Sequence, residues 1–154
     1  MAFRTICRVA IALVLAFPIC GTAADGALNR PVLGYAVQVS PPELRVILGV
    51  PGAAVFSEPL SLPRRTTRLR LAPGQQYAII ESADETPAAL LLNGAATGGI
   101  VTIPGAARAF DFVSFSPSGR SAVLISQAFG RLQVIDGLPQ TPQLVQDIDL
   151  SLLP

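Results

Sequence analysis

The feature that most constrains this chain is its punctuation. Among its 154 residues, 13 Gly and 14 Pro fall between short apolar runs, so few stretches are long enough for a helix. The runs alternate in polarity or are rich in β-branched residues, and turn formers bound them, as in short strands joined by tight turns. An all-β chain is the consequence.

The runs also repeat. "TRLRLAPGQQYAIIES", Thr67 to Ser82, sets Leu69 and Leu71 against Arg68 and Arg70, turns at Pro73-Gly74 and resumes at Tyr77 to Ile80. "DFVSFSPSGRSAVLISQ", Asp111 to Gln127, does the same around Pro117-Ser118-Gly119. Pro117 follows Pro73 by 44 residues. Leu69 then matches Val113, Leu71 matches Phe115, Ile79 matches Leu124 and Ile80 matches Ile125, provided the second turn holds one extra residue. Each unit continues into an apolar run, a Gly-containing turn and a last alternating run, over Pro87–Ala107 and Phe129–Leu150. "PGAA" at Pro51–Ala54 and again at Pro104–Ala107 marks a partial leading unit, and Pro59 and Pro63 bound another short piece. The expected organisation is a partial unit over 32–63, a unit over 67–107 and a unit over 110–150, with four antiparallel strands in a full unit.

Phe115, Ser116, Pro117 and Gly119, followed by Gly130, Val134, Ile135 and Asp136, resemble the YVTN-type and WD-like β-propeller repeats of exported bacterial proteins. Ser118 stands where that turn commonly carries Asp. The resemblance implies four-stranded propeller-like blades. A closed propeller takes about 4 to 8 blades, so roughly two and a half units imply an incomplete β-propeller whose open blade edges favour self-association. It implies no single activity, because one such scaffold carries many functions.

The N-terminus reads as an export signal. Arg4 and Arg8 precede an apolar stretch from Val9 to Ile19, and Gly21 and Ala23 supply the small residues of a cleavage site. The expected signal peptide is 1–23, followed by a flexible leader over 24–31, and the destination is the periplasm or the exterior. Lipid anchoring at Cys20 is disfavoured, because "FPI" ahead of it lacks the small residue that such processing wants. The apolar stretch is shorter than the ~20 residues that a helical span needs, so no membrane span is expected.

Composition excludes much chemistry. With no His, the chain has no Ser-His-Asp or Cys-His centre and no His-ligated zinc. All 11 basic residues are Arg, which removes lysine Schiff bases and Walker-type phosphate loops. Cys7 and Cys20 both lie within the expected signal, so the processed chain has no disulfide. Charge is nearly balanced, with no attraction to nucleic acid. The expected reading is a non-catalytic, cofactor-free interaction or scaffolding protein with a protein or glycan partner. The alternative is the N-terminal part of a longer lactonase-like or hydrolytic propeller enzyme.

Candidate site residues are few. Arg64, Arg65, Arg68 and Arg70 form the densest cationic run and suit an anionic glycan or acidic partner, or else a solvated strand face and loop. Asp84 with Glu85, Asp111, Asp136, Asp147 and Asp149 suit turns and exposed strand faces better than a metal site, since no D-x-D-x-D-G loop is present. Ser116, Ser118 and Ser121 lack a base. Tyr35, Tyr77, Phe56, Phe110, Phe112, Phe115 and Phe129 are expected to fill the blades.

Overall fold

The computed structural model describes residues 31–152 other than 84 and 95. The expected signal peptide, and all of the expected leader except Pro31, lie outside the described residues. The strands are β1 (Val32–Val39), β2 (Pro42–Val50), β3 (Ala53–Phe56), β4 (Thr66–Leu71), β5 (Tyr77–Ser82), β6 (Ala88–Asn93), β7 (Ala96–Thr102), β8 (Phe112–Phe115), β9 (Ala122–Ser126), β10 (Arg131–Asp136) and β11 (Gln143–Asp149). They form three antiparallel meanders, β1-β2-β3, β4-β5-β6-β7 and β8-β9-β10-β11. The architecture is all-β, an incomplete propeller of blade-like sheets. A 3-10 turn at Leu150–Leu152 closes the described chain.

Each sheet stacks on the next through side chains that alternate across its pleat. Leu69, Ala78, Ile80 and Leu90 of the second sheet pack with Leu44 of the first, and Tyr35 and Val37 lean on that cluster. The opposite face of the second sheet presents Tyr77, Ile79 and Ala89 to Ala122, Leu124 and Ile135 of the third. Buried on both faces, β5 has no exposed position from Tyr77 to Ile80. In β9, which is covered on one face, buried residues alternate with partly exposed ones. Ile79, Leu90, Ile103 and Ile135 are completely enclosed, each stabilising by about 1.5–3 kcal/mol.

Pairing corrects the expected alignment of the repeats. Leu69 pairs with Ile80 and Leu71 with Ala78, while Val113 pairs with Leu124 and Phe115 with Ala122. Ile80, and not Ile79, is therefore the counterpart of Leu124, and the offset is a constant 44 residues through the turn. The turn bonds agree: Gln75 N donates to the Ala72 carbonyl as Gly119 N does to Ser116, and Ala72 N to Tyr77 as Ser116 N does to Ser121. Gln75 (φ 53°) and Gly119 (φ 69°) both occupy the left-handed region. The extra residue lies one turn later: Ile80 pairs with Ala88, and Leu124 with Gln133.

Two smaller expectations also change. The first "PGAA" forms the β2–β3 hairpin, whereas the second lies in the connection from β7 to β8, so the two are not equivalent. Residues 57–65, the piece bounded by Pro59 and Pro63, carry no strand. Of the aromatic residues, Tyr77 and Phe110 are buried and Phe115 meets Tyr77 edge-on at 6.0 Å. Phe56, Phe112 and Phe129 stay exposed.

The turn geometry separates two glycines that look alike in the sequence. Gly119→Ala forces a side chain into the left-handed region and is expected to cost about 1–2 kcal/mol. Gly74→Ala, with no positive φ and nothing closer than 4.0 Å to an added Cβ, is expected to be nearly neutral. Denaturant midpoints of the two variants check this.

Candidate functional site

Three turns converge at one end of the seam between the second and third sheets: 72–76 after β4, 116–121 after β8 and 137–141 after β10. They enclose a cleft of about 510 Å³. Gln76, Ser118, Gln140 and Thr141 line it with amides and hydroxyls, and Arg120 is its one charged lining residue. Leu138 and Pro139 make a buried apolar side. The cleft suits a small ligand that forms hydrogen bonds.

The cleft is held by bonds that repeat the strand logic. Tyr77, at the start of β5, crosses the seam and donates its hydroxyl to the Gly119 carbonyl. Burial pushes that hydroxyl up to about 12. Ser116 Oγ lies 3.2 Å from Ser118 Oγ and accepts from Ser121 N at 3.1 Å. Ser121 Oγ donates to Asp136 Oδ1 at 2.8 Å. That bond, one from Gly137 N, and the nearby Arg120 charge lower the carboxyl of Asp136. The three serines thus serve the turn, and among the described residues no hydrogen bond or ion pair involves the guanidinium of Arg120, which lines the cleft near enough to Asp136 for its charge to be felt there.

The cationic run spans the turn before β4 and β4 itself. Arg64 and Arg65 are exposed in the turn before β4. Arg70 donates to the Leu69 carbonyl at 3.3 Å. Arg68 reaches across the other end of the seam, donating to the Phe110 carbonyl and lying 3.4 Å from Asp111 Oδ1 and 3.7 Å from Glu81 Oε2. Glu81 accepts from Phe110 N at 3.2 Å, and Asp111 accepts from Gln127 N at 2.7 Å. Arg68 and Asp111 therefore fasten the β7–β8 connection to the second sheet.

The remaining acids are separated. Asp147 pairs with Arg131 at 3.1 Å and accepts from Gln133 at 3.0 Å. Asp149 accepts from Ser151 N and Oγ, which lowers its carboxyl. Glu85 is exposed, and Asp84 lies outside the described residues. Among the described residues no three acidic side chains gather as a metal site would require. The cleft was not legible beforehand because its walls come from three separate turns, at 72–76, 116–121 and 137–141; the repeated turn was the available signal.

No family model matches the chain, and no curated protein matches it. A solved structure from Bacteroides uniformis, provisionally described as a 6-phosphogluconolactonase, aligns with a TM-score of 0.52 and 16% identity. The likeness is one of fold. It covers 75% of this chain and 37% of that one, so this chain spans well under half of its structural neighbour. The YVTN-type repeat has no such match, and what stands is the blade-like architecture.

Tyr77 gives the seam a pH dependence with a definite sign. Its hydroxyl is neutral in the fold up to about 12, against an ordinary value of 10.0. Its contribution is complete below pH 10.0 and is lost as pH rises through about 12. Denaturant midpoints measured across that window are expected to fall, and to fall less steeply in Tyr77→Phe. An equal slope in the two proteins would contradict the assignment.

Proposed function

We propose that the chain is an exported propeller-like binding module with no chemistry of its own, and that its cleft receives a small hydroxylated ligand bearing one anionic group. The observation that carries this reading is Arg120, the one charged residue lining a cleft of about 510 Å³, set beside amides and hydroxyls. Gln76, Gln140, Ser118 and Thr141 suit ring hydroxyls, which both donate and accept. Arg120 suits a carboxylate, which it meets with two parallel bonds. An acidic saccharide end satisfies both, in keeping with a glycan partner. A lining without paired acids, His, Cys or Lys favours binding over turnover.

Thermal denaturation with sugar probes tests this. Glucuronate is expected to raise the Tm, and glucose, lacking the carboxylate, to do so far less. In Arg120→Ala the affinity for glucuronate is expected to fall roughly tenfold to a hundredfold, the loss of a charged hydrogen bond of about 1.5–3 kcal/mol. Equal shifts with both sugars, or an unchanged affinity in Arg120→Ala, reject the reading.

A second reading rests on the structural neighbour. That protein's provisional description is a lactonase, and this chain spans 37% of it. In this reading the chain is part of a longer lactonase-like propeller whose reacting groups lie on other blades. It predicts an in-frame coding sequence beyond the Pro154 codon with further units 44 or 45 residues apart. A stop codon there, read directly from genomic DNA, removes this reading.

A further inference from the structure

The outer face of the third sheet differs from its counterpart in the second. Strand pairing sets Phe112 beside Ile125, Ile125 beside Leu132 and Leu132 beside Ile148. The next row joins Ser114, Val123 and Val134. In the second sheet the positions of Phe112 and Ile125, each 44 residues earlier, are Arg68 and Glu81, which grip the following connection through Phe110 and Asp111. The third sheet has exchanged that polar clasp for an uncharged apolar row. Phe112 is 58% exposed and Ile148 36%.

The face carries both a protrusion and a recess. Phe112 stands out from it at one end of β8, and toward the other end, by the turn at Ser116 and Ser121, lies a shallow groove of about 260 Å³ whose floor includes Ser114, Val123 and Val134. Under a twofold axis one face offers both halves of a contact, since whatever residue i does to j, j does to i. The outer face of the first sheet is a poor mate. Its pairing places Glu43 and Arg45 on the side away from the second sheet, joined to each other at 3.0 Å, and burying them costs desolvation that the pair scarcely recovers.

From these features we infer that the outer face of the third sheet docks on the same face of a second copy of this chain, with Phe112 of each copy seated in the other's groove. Two such sheets pack about 10 Å apart as a sandwich. Four strands about 4.8 Å apart and five residues at about 3.3 Å give a flat footprint of roughly 300 Å². Stable interfaces bury about 800 Å² per partner. The dimer therefore dissociates on dilution.

Light scattering and sedimentation over a range of concentration test this on the purified chain. The mass is expected to rise from one chain to two with concentration. Phe112→Arg, which removes the protrusion, and Ser114→Arg, which charges the groove, are each expected to weaken association at least tenfold. Both sites are exposed, so far-UV circular dichroism and Tm should be unchanged. Ile47→Arg, on the outer face of the first sheet, is expected to dimerise normally. A single-chain mass up to the solubility limit overturns the inference. So does loss of the dimer in Ile47→Arg, which would mark a head-to-tail contact, or its retention in Phe112→Arg and Ser114→Arg.

Discussion

A sheet that is apolar on both faces cannot stand alone, and the rest of this structure follows from that constraint. Where alternation is strict, one covered face suffices; where apolar residues run consecutively, two neighbours are needed. The run Tyr77-Ala78-Ile79-Ile80 has no polar side to show water, and it sits in the central sheet, enclosed from both directions. The flanking sheets are each enclosed once. The order of burial along the chain is thus the order in which apolar side chains demand partners.

Apolar stacking has no direction of its own, so polar contacts fix how the second and third sheets sit. Tyr77 ties the seam at one end through Gly119, and the Arg68 group ties it at the other. Between them Gln133, only 3% exposed, accepts from Ala107 N and donates to the Gly105 carbonyl and to Asp147. These bonds hold the connection from β7 to β8 against the sheet it precedes. Each joins residues far apart in sequence, and each satisfies a polar group that burial would otherwise penalise. Among the described residues Ser126 Oγ is the exception, buried without a hydrogen-bond partner.

The period and the strands were legible because both rest on local chemistry: turn formers at fixed offsets and apolar residues with period 2. The frame of the turn was not. Pro73-Gly74 and Pro117-Ser118-Gly119 invite alignment of their glycines, yet the backbone needs its left-handed residue two places after the proline, and at that place the earlier copy has Gln75. Four arginines written close together admitted either a cationic site or a solvated strand face and loop. What the local run did not show is that Arg68 reaches across the seam, because its acidic partners lie 13 and 43 residues away.

The same two positions explain why the cleft opens at one seam. Gln75 and Gly119 are equivalent, each pointing from its turn toward the preceding sheet. At the first seam the Gln75 side chain crosses over, accepting from Tyr35 N at 2.9 Å, and its Oε1 lies 2.6 Å from where a Cβ on Gly34 would stand. At the second seam Gly119 has no side chain to send, and a Cβ there would meet the preceding sheet in ordinary contact, 3.8 Å from Pro73 and 3.9 Å from Tyr77. Gly119 itself is part of the cleft wall. A shared backbone turn thus yields a closed seam or an open one according to whether its left-handed position holds an amide side chain or none.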